Sequence, residues 1–236
     1  MNSFLYANNR FENYSLEHLI AVAVFLLTGI AFILIGKYLL KGNAKYTFII
    51  LISLFVFFVQ VAKVPIYQYT GIFDKTKDLP LHLCNMAPLF LFFAYLFKSR
   101  QAWAVFFFWI MAGTFQSLLT PTLHQSFPHY EWWRYWIIHA WLVTGAFYGM
   151  IVLGYRLKFK DVFISLFWLN ILAAVVYLAD TGLDANYMYL RGKPEGKTMY
   201  NLMSKWPYYI IELEFVAVFL FSILYLPFYL WEKSKR

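Results

Sequence analysis

The sequence predicts an all-α integral membrane protein, a polytopic bundle of about seven transmembrane helices in one domain spanning residues 1–236. Three observations predict it: an apolar composition, seven apolar runs of spanning length, and a sided distribution of basic residues. Apolar side chains make up 62% of the chain, aromatics 23% and charged residues only 14%. A soluble domain carries roughly a quarter charged residues. The surplus apolar surface finds a favourable solvent only in lipid, which excludes a water-soluble globular domain.

A spanning helix needs roughly 20 mostly apolar residues. The runs fall at about 18–39, 46–62, 79–97, 102–120, 135–155, 162–179 and 207–230. The first follows Arg10, Glu12 and Glu17, with no basic leader region and no small-residue cleavage site, so it reads as a retained span rather than a signal peptide. Lys41-Gly42-Asn43 separates it from the second. Asp78 and Pro80 mark the start of the third, Pro121 closes the fourth, and Trp132, Trp133 and Trp136 form an interfacial belt before the fifth. Arg191-Gly192-Lys193-Pro194 lies between the sixth and the seventh. No low-complexity linker or short repeat interrupts the series.

Orientation follows from charge. With the N-terminus outside and the C-terminus cytoplasmic, the inner side receives eleven basic residues, from Lys37 to Arg236, against two acids, Asp161 and Glu232. The outer side receives nine basic and ten acidic residues. This obeys the positive-inside rule and makes the net charge of +8 topological, so no nucleic-acid partner is expected. The expected location is a cell membrane, of the bacterial plasma-membrane kind. One cysteine, Cys84, excludes an intrachain disulfide and a multi-cysteine metal site.

Polar residues at membrane depth are costly and invite a reason. Counted from Asp78 at a rise of 1.5 Å per residue, Cys84 lies roughly 9 Å below the outer end of its span. His139, Glu212 and Gln116 fall at similar depths of roughly 6–9 Å on three other helices. The inner halves of these spans are almost wholly apolar. Cys84 follows a helix start, where the positive helix end favours thiolate over thiol. Pro88 cannot donate to the Cys84 carbonyl and so distorts the helix beside it. A cysteine and a histidine at one depth are the minimal machinery of thiol acyl transfer, with His139 as general base. His82 and Asn85 share a face three residues apart, which makes His82 a head-group contact or a second base. Gln116 and Asn85 are candidate oxyanion donors, and Tyr208 and Glu212, four apart, candidate substrate contacts. Each residue also has a plainer reading: inert filler for the cysteine, an interhelical hydrogen bond for the others. His124 and His129, five apart on a loop, do not make a metal motif, and no metal or cofactor is expected.

The stretches Leu79-Pro80-Leu81-His82-Leu83-Cys84-Asn85 and Gly113-Thr114-Phe115-Gln116-Ser117-Leu118-Leu119-Thr120-Pro121 resemble the bacterial YwaF-type integral membrane proteins. Ile138-His139, Asn186-Tyr187-Met188-Tyr189-Leu190, Lys193-Pro194 and Trp206-Pro207-Tyr208-Tyr209 follow in the same order, so the resemblance covers about 79–212. Ser204-Lys205 stand where relatives often carry glycine and proline. That family is similar to an animal transmembrane acyltransferase that moves a fatty acyl chain onto an ether lysophospholipid. The resemblance implies a catalytic pair at Cys84 and His139. More distant relatives with a threonine nucleophile hydrolyse lipid esters.

The expected function is therefore a membrane-embedded lipid acyltransferase or lipid-ester hydrolase acting through an acyl-cysteine, with phospholipid or lysophospholipid partners. The alternative is a small transporter or lipid-binding protein with an outward-facing polar pocket and no catalysis. Acyl donor, acceptor and oligomeric state stay open at this stage.

Overall fold

The computed structural model describes residues 3–6, 9–194 and 199–234; Glu195, Lys197, Lys235 and Arg236 of the charge count lie outside them. Among the described residues there is no strand, and a single β-bridge joins Arg10 to Gln125. Helix α1 (Leu16–Leu34) runs on as a wider π turn to Leu39, and α2 (Ala44–Val61) continues almost directly into α3 (Lys63–Tyr69). Then follow α4 (Leu83–Leu96), α5 (Arg100–Trp109), α6 (Tyr130–Ile151), α7 (Phe159–Leu183) and α8 (Tyr208–Lys233). With α2 and α3 taken as one segment, these are the seven predicted runs.

The seven are not equivalent. By length and composition, Leu16–Leu39, Ala44–Tyr69, Phe159–Leu183 and Tyr208–Lys233 can cross a membrane. Helices α4 and α5 are shorter than a full span, and α6 is long but carries Glu131 and Arg134 in its first turns. Burial explains the division. Helix α1 buries only His18, Ala21 and Gly29 of its 19 residues, whereas α6 buries 16 of 22. The apolar helices face outward and α6 is the axis of the bundle, shielded by protein, so it tolerates polar residues that a lipid-facing helix would not.

Small residues set the approach to that axis. A Cβ on Gly29 would fall 2.3 Å from Thr144 Oγ1, so α1 seats against α6 only because glycine stands there. On α6 itself, Gly149 receives the Trp103 indole of α5, whose Nε1 donates to the Ala146 carbonyl at 3.1 Å. Tyr95 of α4 donates to the Gly145 carbonyl of α6.

The basic loops converge at one end. Lys98 lies 4.8 Å from the Tyr46 ring, Arg156 lies 5.5 Å from the Trp231 ring, and Tyr148 donates to the Lys45 carbonyl at 2.9 Å. There, too, Arg100 from the start of α5 grips Asp161 from the start of α7, with Nη2 to Oδ1 at 2.9 Å and Nη1 to Oδ2 at 2.5 Å. Gln101 Nε2 and the Lys158 amide complete the shell of this fully buried carboxylate. The N-terminal segment, the 121–129 loop and the 184–192 loop gather at the opposite end.

Candidate active site

Helix α4 begins later than its sequence implies. Residues 70–82 form turns, because Asp78 is used elsewhere: it accepts from the Asp74 amide at 2.8 Å and pairs with Lys63 at 2.9 Å. His82, in extended conformation, is the N-cap, and Cys84 is the second residue of the helix rather than the sixth of a span. A depth counted by helical rise from Asp78 therefore does not hold. Depth arises differently: 14 helical residues rise roughly 21 Å, short of a hydrocarbon core of about 30 Å. Helix α5 is truncated at the same end, relaxing into a π turn over Ile110–Thr114 and a 3₁₀ turn over Phe115–Leu118. The two irregular stretches touch, for a Cβ on Gly113 would lie 3.4 Å from Leu83 Cδ2. Non-helical backbone at membrane depth is tolerated only where protein or a wet cavity surrounds it.

Cys84 is half-buried, and its sulfur faces its own amide and that of Asn85. Two cations, Arg134 and Lys63, and two tyrosines, Tyr135 and Tyr189, lie within electrostatic range of it. His139, almost fully buried on α6, stacks on Tyr135 with ring centroids 4.0 Å apart. Its Nδ1 lies 2.8 Å from the Tyr135 carbonyl. A carbonyl can only accept, so Nδ1 carries the proton of the neutral ring and Nε2 keeps its lone pair. Among the described residues Nε2 has no hydrogen-bond partner. Cys84 and His139 thus share Tyr135 as a common neighbour.

The other predicted residues divide. Asn85 belongs to the site: its Oδ1 accepts from Arg134 Nη1 at 3.3 Å, which leaves its Nδ2 amide to donate. His82 is engaged by the 187–189 turn, with its ring 5.4 Å from that of Tyr189. Its Nδ1 accepts the Met188 amide at 3.2 Å, and its ring packs edge-on against Tyr187. As the cap it is not on a helical face with Asn85, contrary to the spacing argument. Gln116 sits exposed in the 3₁₀ turn, and Tyr208 is exposed at the start of α8. Glu212, a candidate substrate contact, accepts the Ser204 amide at 3.1 and 3.3 Å and so closes the loop before α8.

A charged network beside the cysteine escaped the sequence reading. Arg134 Nε donates to Glu131 Oε2 at 2.9 Å, its Nη2 meets the other carboxylate oxygen, and its Nη1 donates to Gln60 at 2.9 Å. Tyr67 adds a 2.7 Å bond to Glu131, and the Lys63 ammonium lies 5.0 Å from the Tyr67 ring. The spacing Glu131-x-x-Arg134 at a helix start was the available signal; it reads equally well as a surface pair. Just outside the membrane segments, His129 caps α6 by accepting the Glu131 amide at 3.1 Å, and burial holds its pKa below the ordinary histidine value. Two surface concavities, one lined by Arg10 and His124 and one by Phe159 and Tyr229, do not include Cys84 or His139 in their linings. No group of acid, histidine or cysteine side chains suited to a metal occurs among the described residues.

Fold and site together define an integral membrane protein whose shielded central helices carry a polar cluster at the end opposite the basic loops. The chain belongs to the TMEM164 family, which it matches over residues 13–225. No curated protein and no solved structure matches it.

Proposed function

We propose that this protein catalyses acyl transfer, or ester cleavage, on a membrane lipid through a Cys84 thioester. The observation that carries the reading is His139: a neutral ring with Nδ1–H held by a backbone carbonyl and a free Nε2, stacked on the tyrosine that also neighbours Cys84. In the first step His139 Nε2 takes the thiol proton and the sulfur attacks the ester carbonyl carbon. The resulting oxyanion would receive the Asn85 Nδ2–H and an amide at the start of α4. As the oxyanion collapses, the carbon–oxygen bond breaks and His139 returns its proton to the leaving alcohol. In the second step His139 deprotonates an acceptor hydroxyl, from a lysolipid or water, which attacks the thioester and releases the thiol. Arg134 and Lys63 lie within electrostatic range of the sulfur and would offset part of the cost of burying a thiolate there. The resemblance of the Cys84 and His139 motifs to YwaF-type proteins and to the animal acyltransferase supports this chemistry. We place the site toward the outer leaflet of a bacterial plasma membrane, because the opposite end gathers the basic loops.

A second reading, a lipid-binding or transporting protein without catalysis, is favoured by neither concavity including Cys84 or His139 in its lining. Intact-protein mass spectrometry separates the two. After incubation with a phospholipid or an activated acyl ester, the purified protein should gain one acyl chain at Cys84. His139→Ala should abolish that gain, and Cys84→Ser should not acquire a thioester. Wild-type protein that stays unmodified across pH 6–9 refutes the enzymatic reading.

A further inference from the structure

The end of the bundle nearest the site holds a cavity of about 500 Å³ between the N-terminal segment and the loop after α5. Arg10, Glu12 and His124 line it over a floor formed by Phe11 and Leu123. The frame is fixed by other groups. The Phe11 amide donates to the His124 carbonyl at 3.1 Å, and Arg10 bridges Gln125 through its backbone. Glu17 accepts the Phe127 amide at 2.8 Å, and His18 Nε2 donates to the Leu118 carbonyl at 3.0 Å. Phe11 is buried against His18 and Trp136. The side chains of Arg10, Glu12 and His124 take no part in this scaffold, and no ion pair joins Arg10 to Glu12. Among the described residues, an exposed cation, anion and imidazole therefore line one surface concavity with no ion pair between them.

Its rim adjoins the proposed catalytic pair. Thr122, on the cavity wall, lies against the Tyr135 hydroxyl, which also donates to the Ser117 carbonyl at 2.8 Å. His139 packs on the ring of the same tyrosine. Tyr135 thus neighbours both the wall of the concavity and His139.

We infer that the Arg10–Glu12–His124 cavity binds the zwitterionic phosphoammonium head group of the lipid whose ester reaches Cys84. A guanidinium matches two phosphate oxygens and an imidazole can donate to a third. Glu12 complements an ammonium on the same head group. In a glycerophospholipid only a few bonds separate phosphate from ester carbonyl, so a head group held there places the carbonyl beneath Tyr135. The inference rests on the proposed chemistry for its purpose but not for its test.

Calorimetric titration of the detergent-solubilised full chain with sn-glycero-3-phosphoethanolamine tests it, with inorganic phosphate titrated in parallel. The wild type should bind the glycerophospho compound, and Arg10→Gln and His124→Gln should each weaken it about tenfold, the scale of one charge-assisted contact. Glu12→Gln should weaken that ligand and leave inorganic phosphate unaffected, and Cys84→Ala should bind like the wild type. No binding by the wild type, or unchanged binding in both Arg10→Gln and His124→Gln, overturns the inference. Equal affinity for inorganic phosphate with no effect of Glu12→Gln also overturns it, in favour of a simple anion site. Binding with this pattern in a protein that never forms an acyl adduct sustains the head-group site and removes the catalysis alone.

Discussion

Glu131→Gln should destabilise the protein far beyond an ordinary helix-surface change, and adding Arg134→Met should cost much less than that substitution costs alone. The Arg134 guanidinium is 6% exposed and Glu131 19%, and two of its nitrogens bond the carboxylate. Glutamine preserves shape and one acceptor, and it can still receive the Tyr67 hydroxyl. It removes the charge that compensates Arg134 and the nearby Lys63. Breaking a buried pair on one side costs about 3–5 kcal/mol, because the remaining charge stays desolvated. The retained acceptor places Glu131→Gln near the lower figure. Arg134→Met alone leaves the carboxylate with Lys63 and Tyr67, and it also strips Gln60 and Asn85 of their donor. The double variant should cost less than the sum of the singles by about 2–3 kcal/mol, in the upper part of the range for groups in contact. Reversible unfolding in graded dodecyl sulfate within mixed micelles measures all four corners of the cycle. Additivity within about 0.5 kcal/mol would show that the two side chains do not act as one buried unit, and the account of this end of α6 would fall.

Three further outcomes follow from the packing. Gly149→Ala places a Cβ 2.2 Å from Trp103 Nε1 and should cost about 1–3 kcal/mol by overpacking, whereas Gly182→Ala, with nothing within 4 Å, should not destabilise; equal melting shifts would contradict the close approach. Asp161→Asn should cost roughly 3–5 kcal/mol in the same sulfate titration, since it leaves Arg100 facing a neutral amide; a loss under 1 kcal/mol would mean the clamp is ornamental to stability. His129 has a folded-state pKa below 6.5, so the unfolded chain binds the proton more readily. Its contribution to stability is present above 6.5 and is lost as pH falls below that value toward the depressed folded pKa. His129→Asn, which keeps an N-cap acceptor, should flatten this part of the melting-temperature profile between pH 4.5 and 7.5, and an unchanged slope would assign the acid sensitivity elsewhere.

The seven helices were legible because lipid imposes a simple rule on outward faces: Leu16–Leu39 or Tyr208–Lys233 must be apolar throughout, and apolar runs are visible in a sequence. The breaks inside the bundle were not. Nothing local tells that the chain from Asp78 to Leu81 stays in turns, because the cause is Lys63, fifteen residues upstream, pairing with Asp78. Cys84 and His139 stood out as polar residues in apolar runs. Gln60, Lys63, Glu131 and Arg134 lie at the ends of such runs, where charges are expected to meet water, so their burial against one another had no sequence signature. Glu212 is the converse case, for which a structural hydrogen bond was the plainer reading. Its position within a run marked it as functional, but its carboxylate satisfies the Ser204 amide.

The division between outer and central helices explains how charged side chains are accommodated within an apolar bundle. A carboxylate, a guanidinium and an ammonium placed on a lipid-facing helix would each face several kcal/mol of desolvation without a partner. On α6 and the segments beside it, protein supplies those partners: Glu131 for Arg134, Asp78 for Lys63, the Tyr135 carbonyl for His139. The shortness of α4 and the unwinding of α5 then leave the first amides of α4 and the Asn85 Nδ2 group beside the sulfur, which a full-length regular helix would not provide. The helices least able to cross a bilayer by themselves are therefore the ones that carry Cys84, His139 and the Glu131–Arg134 pair. The four apolar helices around them make that arrangement tolerable in lipid.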